Sequence, residues 1–520
     1  MRARSHGELV ISNKKQLLSL ALDAAQRPSV GYMFDDLASD PSNLLPIGVN
    51  TVDALKALGN AMAVDPSPKE SAIPAAYTYF GQFIDHDITK TAFDPSVAGS
   101  SGQDPIELSN LQPIAKARVP ALVENTRTLT FDLDSLYGGL AQQTIEPSGK
   151  MRLSKVSGAP FGTIPTDDRD HDLPRRAMIE KPKNEQEKEA DRQALIGDPR
   201  NDENLIVAQL HVAFIRAHNA LIERGLNFQE AQTALRRRYQ WAVLHDFLPR
   251  VTEGATFQDV VANGPRFWRP ASETDIFMPL EYSVAAYRFG HSMIRGAYFH
   301  NETFDPAGFQ FFFTFTALSG DLAPFGGQSS ESATLPDNWI IDWSRFFGSA
   351  QSPASMNPAR RIDTFLTPEL GNLRDFQGLP IPSLMARLAT RNLLRGYLLG
   401  LPTGQAVARL IGVSELDSAK LMASVPSQLR SIVSSAGLDA RTPLWFYILA
   451  EAGNPAGPDG NHLGPVGSRI ICETIWNSIS FSRDSVITSA PSAQELSTGE
   501  FTLKGIVGMG LDKGLPPLQP

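Results

Sequence analysis

The spacing of apolar and polar residues is helical along most of the chain. Residues 203–226 (ENLIVAQLHVAFIRAHNALIERGL) carry the strongest pattern, and they are apolar on nearly every face, which is typical of a deeply buried helix. Further helices are predicted where the spacing recurs, over residues 229–251, 280–299, 382–401, 414–426 and 441–453. The pattern therefore predicts a mainly α protein, a single large helical domain with long loops and little β structure.

Strand signals are sparse. The Phe-rich segment 308–318 (GFQFFFTFTAL) is the best strand candidate, and a buried loop against a flat apolar ligand is the alternative. Gly/Pro-rich stretches at 321–331 and 453–467 predict surface loops. The charged segment 168–193 predicts a solvated excursion, although it contains His171.

The two ends of the chain differ from its middle. Residues 1–70 are rich in turns and are predicted to wrap the core, residues 71–490 form the main domain, and residues 491–520 form a tail. Residues 14–26 (KKQLLSLALDAAQ) predict an amphipathic helix, because Asp23 interrupts the apolar run that a secretory signal needs. We therefore expect no general secretory signal, and a protein that is cytoplasmic or exported by a non-classical route.

Composition excludes several classes of protein. The chain has 520 residues, of which 42% are hydrophobic and 20% charged, as in ordinary globular proteins. Its net charge of -9 argues against a nucleic-acid partner, because no basic excess neutralises phosphates. A single cysteine, Cys472, excludes intramolecular disulfides, Cys₂His₂ and Cys₄ zinc sites and iron–sulfur clusters. No stretch has the length of a transmembrane helix.

One short segment raises a chemical question. Residues 80–90 (FGQFIDHDITK) place a histidine between two carboxylates. If the segment is helical, Gln82, Asp85 and His86 share one face, and Asp87 points about 100° further round. A solvated surface turn is the plain alternative.

Three other segments carry polar groups with matching spacing. In GDPRNDEN, Arg200 and Glu203 share a face at the start of the long helix, where a carboxylate is also favourable for the helix dipole. In YRFGHSMIRG, Arg288 and His291 are three residues apart. Asn392 lies in an otherwise apolar helix, and a buried amide needs a partner, which an imidazole can supply.

A further segment, TLTFDLDSLYG, alternates oxygen-bearing side chains with apolar ones. In an extended loop these side chains project to one side, and hard oxygen ligands in that pattern suit Ca²⁺. Asp87 can complete such a cage, and a solvated β-edge is the alternative. The candidate calcium ligands are Asp87, Thr128, Thr130, Asp132 and Asp134.

Taken together and in chain order, these motifs resemble those of the animal-type haem peroxidase family, part of the peroxidase–cyclooxygenase superfamily that includes myeloperoxidase and lactoperoxidase. The resemblance runs from about residue 77 to about residue 475 and favours a bacterial member. The motifs that carry it are GQFIDHDI, TLTFDLDSLYG, GDPRNDEN, YRFGHSMI, RNLLR and LGPVGSRII.

The resemblance implies a role for each candidate residue. It makes His86, Gln82 and Arg200 the distal catalytic histidine, glutamine and arginine. It makes His291 the proximal ligand of the haem iron and Asn392 the partner of its second nitrogen. The remaining matches are Arg288 and Arg395 as haem-propionate partners, Asp85 and Glu203 as the acids that form ester bonds to haem, and the five calcium ligands named above.

The function implied is that of a haem peroxidase, with residues 71–490 as its catalytic domain. Such an enzyme reduces hydrogen peroxide and oxidises halide, thiocyanate or small aromatic donors through a ferryl intermediate, in keeping with a response to oxidative stress. The cofactors implied are haem b, with ester links an open alternative, and Ca²⁺. Asn204 stands where myeloperoxidase has the methionine of its sulfonium link, so that link is absent.

Other functions stay open at this point. A fatty-acid dioxygenase on the same scaffold needs a radical tyrosine three residues before the proximal histidine, where this chain has Arg288 and Tyr287 is displaced by one position. A non-catalytic haem-binding module and a non-haem metal hydrolase built on Asp85, His86 and Asp87 are the remaining alternatives. The bland interpretation of His211 and His218, seven residues apart on the long helix, is a core or interface position.

Overall fold

The computed structural model describes the chain in segments, and α-helices carry the core of the described part. The described residues are 29–65, 67–94, 104–139, 144–156, 170–176, 184, 193–304, 306–313, 316, 335–348, 356–373 and 384–511. Strands within these residues are two to five residues long and occur only as pairs. The prediction of a mainly α fold with little β structure is confirmed.

The α-helices range from single turns to 19 residues. In chain order they are Asp35–Ser39, Val49–Met62, Ala75–Ile88, Val119–Leu122, Asp134–Tyr137, Leu205–Glu223, Phe228–Ala242, Leu248–Val251, Gly254–Asn263, Trp343–Phe346, Leu388–Leu398, Gly404–Ile411, Ser418–Ser424, Ser427–Ser435, Leu444–Ala452, Pro465–Ser480, Ala493–Leu496 and Leu503–Met509.

The strands form short ladders between segments that are mostly far apart in sequence. Val30–Gly31 pairs in parallel with Met278–Pro279. The antiparallel pairs are Glu70–Pro74 with Pro358–Arg360, Thr91–Phe93 with Val123–Asn125, Ser154–Lys155 with Asp170–Asp172, and Ala297–Tyr298 with Ala307–Gly308.

The core forms around two crossing helices. Ala75–Ile88 and Leu205–Glu223 pack against each other, and Phe83 stacks on Phe214 with ring centroids 4.6 Å apart. Both helices are buried along almost their whole length, as expected for segments that are apolar on most faces. The polar residues of the first helix are therefore held inside the protein and not on a surface turn.

The predicted long helix is present as Leu205–Glu223, and Asn204 begins it by accepting a hydrogen bond from the Val207 amide at 3.0 Å. Among the described residues, this helix is long and apolar enough to cross a bilayer, so the prediction that no stretch has that length is wrong, but most of the helix is buried inside the protein. The predicted helix over 229–251 is present as Phe228–Ala242, followed by a π turn and a short last helix.

Two secondary-structure predictions are wrong. Residues 280–299 do not form an α-helix: a π turn, Glu281–Ala285, leads into a 3-10 segment, Ala286–Met293. The predicted strand in 308–318 is a 3-10 turn over Phe309–Phe313. In both cases tertiary packing decides the backbone geometry, since short apolar runs have no period that separates these states.

The charged segment 168–193 is described only in part. Within residues 170–176, His171, Asp172 and Arg175 are buried, so the prediction of a solvated excursion is wrong for this stretch. Arg175 explains the burial, because its guanidinium pairs with both Asp172 and Asp202. A buried cation with two carboxylate partners avoids the cost of an unpaired buried charge.

The N-terminal part of the described chain is tied to the segment that leads into the site. The buried carboxylate of Glu281 accepts hydrogen bonds from the Met33 amide at 2.8 Å and the Phe34 amide at 3.1 Å. The predicted helix at 14–26 lies outside the described residues. The domain boundaries at residues 70 and 490 stay predictions.

Candidate functional site

His86 lies on the buried helix Ala75–Ile88, and its ring contacts Asn201 of the GDPRNDEN motif, which in turn contacts His211 of the long helix. Its Nδ1 is 2.8 Å from Asn201 Oδ1, and Asn201 Nδ2 is 3.0 Å from Nδ1 of His211. All three side chains are almost fully buried. In this orientation of the amide, whose oxygen only accepts, His86 carries its proton on Nδ1, and Nε2 is the basic nitrogen of the ring.

The environment keeps the His86 ring neutral. Burial lowers its pKa from the ordinary value of 6.5 to about 4, and the positive charge of Arg200 adds to the shift. The carboxylates of Glu203, Asp198 and Asp85 act in the opposite direction but do not outweigh burial. A histidine of this kind can accept a proton at neutral pH.

Arg200 lies beside the end of the helix that carries His86. Its Nη2 donates to the backbone carbonyls of His86 at 2.9 Å and Thr89 at 2.7 Å, and its guanidinium pairs with Asp198 at 2.6 Å. Asp198 also begins the 3-10 turn Pro199–Asp202 by accepting from the Arg200 amide. The sequence pattern placed Arg200 and Glu203 at the start of the long helix. In the structure, Arg200 lies in this 3-10 turn and Glu203 follows its last residue.

Asp85 and Arg288 form an ion pair across the site. Arg288 Nη1 is 3.1 Å from Asp85 Oδ2, and Thr89 Oγ1 donates to Asp85 Oδ1 at 2.6 Å. Burial opposes ionisation of Asp85, but the charges of Arg288 and Arg200 outweigh it, so its pKa is lower than usual. Arg288 Nε donates to the Ser283 carbonyl at 2.7 Å, which directs the guanidinium toward the carboxylate.

Gln82 contacts the residue that begins the long helix. Its Oε1 accepts a hydrogen bond from Asn204 Nδ2 at 3.1 Å. Asn204 thus has two roles, capping the helix with its oxygen and holding Gln82 with its nitrogen. Glu203, the residue before it, is buried, and its carbonyl accepts a bond from the Thr316 hydroxyl at 3.2 Å.

His291 lies in the 3-10 segment Ala286–Met293 and faces Asn392 of the helix Leu388–Leu398. The side-chain nitrogen of Asn392 is 2.9 Å from His291 Nδ1. A half-turn of the amide exchanges its nitrogen for its oxygen, so Asn392 can either donate to Nδ1 or accept from it. In the second arrangement, His291 Nε2 has the lone pair that binds a metal.

The two histidines line one cavity, whose empty space is about 590 Å³ with the part open to solvent included. Its walls include Gln82, Asp85 and Arg288 and the apolar side chains of Phe247, Phe289, Met293 and Ile294. Arg200 and Glu203 are not among the described residues that line it. Sequence positions about 200 residues apart therefore meet in one slot.

A second cavity, of about 400 Å³, adjoins the first at Arg288 and His291. Asn392, Arg391 and Arg395 also line it. Arg395 pairs with Asp104 at 2.8 Å. Three guanidinium groups beside one cavity wall suit a ligand with carboxylate groups.

The predicted calcium ligands do not all point to one place. Asp87 Oδ1 accepts from the Ser135 amide at 2.9 Å, and Thr128 donates to Asp134. Leu133 has a left-handed backbone, with φ of 57°, and this bend ends the extended run in which the side chains were predicted to alternate.

Asp132, on the other side of that bend, faces different partners. Its Oδ1 accepts from the Arg483 amide at 2.9 Å and lies 3.6 Å from Arg236 Nε, while Oδ2 accepts from Thr130 Oγ1 at 2.7 Å. The prediction that all these side chains project to one side is wrong. Within the described segments, no three acidic, histidine or cysteine side chains form a group that could hold a metal ion.

Sequence reasoning missed Asn201, Asp198, Arg391 and the site role of His211. A signal for three of them existed, because Asp198 and Asn201 flank Arg200 in GDPRNDEN and Arg391 precedes Asn392 in RNLLR. His211 gave none, since one more histidine on a buried helix is ordinary. Its burial fits the core interpretation, and the contact with Asn201 is what that interpretation did not include.

Comparisons with known proteins agree with this arrangement. Residues 56–435 match the family described as Animal haem peroxidase. A Peroxidase-like protein of Margaritifera margaritifera is 31% identical over 113 residues, which are 18% of this chain and 14% of that protein. The chain thus spans about a seventh of that curated relative.

Solved structures share the fold at low identity. Peroxidase A from Dictyostelium discoideum has a TM-score of 0.55 at 16% identity, with 90% of each chain covered. The fatty acid alpha-dioxygenase of Arabidopsis thaliana has a TM-score of 0.57 at 12% identity, covering 90% of this chain and 78% of the other. That of Oryza sativa has a TM-score of 0.54 at 12% identity, covering 93% and 79%.

The match to the family pattern extends over most of the chain, and the resemblance drawn from the motifs is confirmed. Family membership implies haem binding and oxidoreductase chemistry, and His86 and His291 line one cavity. The chain belongs to the animal haem peroxidase family.

Proposed function

We propose that this protein is a haem peroxidase that reduces hydrogen peroxide and oxidises halide, thiocyanate or small aromatic donors. The observation that carries the proposal is that His86 and His291 line the same cavity, each with Nδ1 against an asparagine side chain. One histidine is poised as a base and the other as a ligand, which is the division that peroxide reduction at a haem needs.

The residues present fit haem b. His291 Nε2 would bind the iron, with Asn392 accepting from Nδ1 to orient the ring and tune its basicity. Arg288, Arg391 and Arg395, at the adjoining cavity, would pair with the two propionates. The apolar walls between the histidines suit the porphyrin faces. When bound, haem supplies the iron that accepts peroxide and the electrons for the reaction.

The chain's own contribution is proton transfer at His86. Its neutral Nε2 accepts a proton from the inner oxygen of hydrogen peroxide and returns it to the outer oxygen, which leaves as water. Asn201 holds the ring during both steps, and Gln82, held by Asn204, lies on the same helix face and can orient peroxide or a small donor. Arg200, fixed by Asp198 and by the His86 carbonyl, stands behind the described cavity lining and adds a positive charge close to His86 without reorganising.

Ester bonds between haem and the chain are an open part of the proposal. Of the two acids, Asp85 is among the described residues that line the cavity and Glu203 is not, so Asp85 is the better placed. Its pairing with Arg288 keeps it ionised. Extraction of the haem protein with acid–acetone tests this part, because haem that stays with wild type but leaves Asp85→Asn identifies the bond.

The experiment that tests the main proposal is peroxide-dependent oxidation of iodide, thiocyanate and simple phenols by the full-length protein loaded with haem. We expect a Soret band, turnover that depends on peroxide, and loss of turnover in His86→Gln with the haem retained. Haem-loaded protein that oxidises none of these donors would refute a peroxidase.

A fatty-acid dioxygenase is the second candidate. Tyr287 favours it, because this residue lines the cavity and stacks on Tyr282 with ring centroids 4.7 Å apart. Arg288 disfavours it, because an arginine paired with Asp85 stands three residues before His291. Oxygen uptake that depends on a long-chain fatty acid and disappears in Tyr287→Phe would establish this candidate instead.

A calcium ion beside Asp87 completes the proposal. Asp87 Oδ2 is buried without a hydrogen-bond partner among the described residues, and burial raises the Asp87 pKa to about 7, with Asp134 adding to the shift. A divalent cation would satisfy that oxygen together with Thr128 and Asp134, while Thr130 and Asp132 would join only if Asp132 left Arg236. We expect Ca²⁺ to raise the Tm of the wild-type protein by a few degrees and to leave the Tm of Asp87→Ala unchanged. If the wild-type protein has the same Tm with Ca²⁺ and with a chelator, the site is excluded.

A further inference from the structure

The strongest feature that the proposed peroxidase chemistry leaves unexplained is a chain of three buried side chains behind the cavity. His86 and His211 do not touch each other through a hydrogen bond that the structure records, but both contact the same amide, that of Asn201. Asn201 is fully buried, and His211 is fully buried as well. Neither residue is among those that line the cavity in the described part of the chain. Their effect on a ligand must therefore pass through His86.

The two contacts of Asn201 use opposite ends of its amide. Oδ1 is 2.8 Å from His86 Nδ1, and Nδ2 is 3.0 Å from His211 Nδ1. An amide oxygen accepts and an amide nitrogen donates, so His86 Nδ1 must carry a proton and His211 Nδ1 must not. If the amide made a half-turn, its nitrogen would face His86 Nδ1 and its oxygen would face His211 Nδ1. Two donors would then meet at His86 Nδ1, unless both rings changed tautomer.

His211 links the orientation of the amide to the tautomer of a second buried ring. Burial lowers the His211 pKa to about 3, so the ring stays neutral and one of its nitrogens is always an acceptor. The ring is held between elements of the core, tilted against Phe83 with centroids 6.0 Å apart. In the recorded orientation, Nδ1 is that acceptor, so the amide presents its nitrogen to His211 and its oxygen to His86.

We infer that Asn201 and His211 act as positioning residues that hold His86 in the tautomer with the proton on Nδ1, leaving Nε2 basic toward the cavity. This inference deepens the proposed peroxidase function and rests on it only for its effect on rate. The tautomer itself is a property of the folded chain. Control of a base through the hydrogen bond at its second nitrogen is an established way of setting which nitrogen reacts.

Four variants separate the parts of this arrangement. Asn201→Asp keeps an oxygen toward His86, Asn201→Leu removes both ends of the amide at similar volume, and His211→Phe keeps a ring but removes the acceptor that orients the amide. Asn219→Leu is the matched control, because Asn219 lies on the same long helix as His211 and its bonds within the described residues are to the Met151 backbone, at 2.7 and 2.8 Å.

The direct readout is the ¹⁵N NMR spectrum of the His86 ring in full-length protein labelled at histidine. It is recorded on the haem-free chain and on the diamagnetic ferrous carbon monoxide form, and His86→Gln assigns the signals. We expect the Nδ1–H tautomer in wild type, Asn201→Asp and Asn219→Leu. We expect a mixture of tautomers in His211→Phe and in Asn201→Leu.

The second readout is the rate of reaction with peroxide. We expect Asn201→Leu to lower it by about 100-fold and His211→Phe by about 10-fold, with Asn201→Asp retaining most of the wild-type rate. A wild-type spectrum with the proton on Nε2 overturns the inference, even if no variant folds. Unchanged tautomer in both His211→Phe and Asn201→Leu also overturns it. The correct tautomer in a protein without peroxidase activity would instead refute the proposed function and leave the inference standing.

Discussion

On each side of the cavity, a histidine places its Nδ1 against the side-chain amide of an asparagine. The distances are nearly equal, 2.8 Å for His86 and Asn201 and 2.9 Å for His291 and Asn392. The surroundings differ, because the amide of Asn201 has a second ring, that of His211, to orient it, and the recorded contact of Asn392 is to one ring.

The backbones of the two sides differ as well. His86 lies within a regular α-helix, whereas His291 lies in a 3-10 segment that follows a π turn. An α-helix fixes the direction of a side chain through its period, and a departure from that geometry is set by the packing around it. We infer from this comparison that the His86 side holds a base in a single tautomer. The His291 side holds a metal ligand, and the bound metal can select the tautomer of that ring.

The largest expected effect is a difference in haem binding between the variants of the two histidines. We predict that His291→Gln loses most of its haem, since the metal loses its protein ligand, while His86→Gln retains it. The haem content per chain, from the absorption spectrum and pyridine extraction, measures this. His245→Gln, at an exposed position, is the control. Equal haem retention in both site variants would remove the distinction between the two sides.

The next effect concerns the base. We predict that His86→Gln reacts with hydrogen peroxide about 10²- to 10⁴-fold more slowly than wild type, because glutamine cannot accept a proton. Stopped-flow mixing of haem-loaded protein with peroxide gives the rate. A loss of less than about threefold would mean that His86 is not the base.

A smaller effect compares the two asparagines directly. We predict that Asn392→Leu weakens haem binding by about 10- to 100-fold, because the ligand ring loses its hydrogen-bond partner. Asn201→Leu should leave haem affinity nearly unchanged, because the side-chain contacts of Asn201 within the described residues are to His86 and His211 and not to His291. Haem transfer to apomyoglobin measures both. The same loss of affinity in both variants would show that the amides serve a common structural purpose.

The smallest effect is on pH dependence. Because the His86 pKa is about 4 in the folded protein, the rate with peroxide should stay level as pH falls through 6.5 and decline only near pH 4. The free energy of unfolding should also fall as the pH falls. His86 takes up a proton below about pH 6.5 in the unfolded chain but only near pH 4 in the folded chain, so stability is lost as the pH falls from 6.5 to 4.

Both parts can be measured in one series. The peroxide rate is followed from pH 3 to 8, and the free energy of unfolding of wild type is compared with that of His86→Gln over the same range. A decline in rate centred near pH 6.5 would show that His86 is not held neutral by its surroundings. Parallel stability curves for the two proteins would show the same.

Local patterns predicted the parts of the site that lie on regular helices. Gln82, Asp85 and His86 share a face because they are spaced by the period of an α-helix, and the structure places all three on one cavity wall. The burial of the long helix followed from its apolar composition in the same way. The calcium loop shows where this reasoning fails, because one left-handed residue, Leu133, separates Asp132 from Asp134.

The sequence by itself determined the fold class, the family motifs and which residues could share a helix face, because these depend on composition and on a local repeat. Only the tertiary structure decided that Asn201 joins His86 to His211, that Asp198 holds Arg200 and that Asp132 turns to Arg236. The longest of these contacts in sequence, from His86 to Asn201, spans 115 residues. The physical reason is that a hydrogen bond depends on positions to within a few tenths of an ångström, and across such separations those positions are fixed by the packing of the whole core.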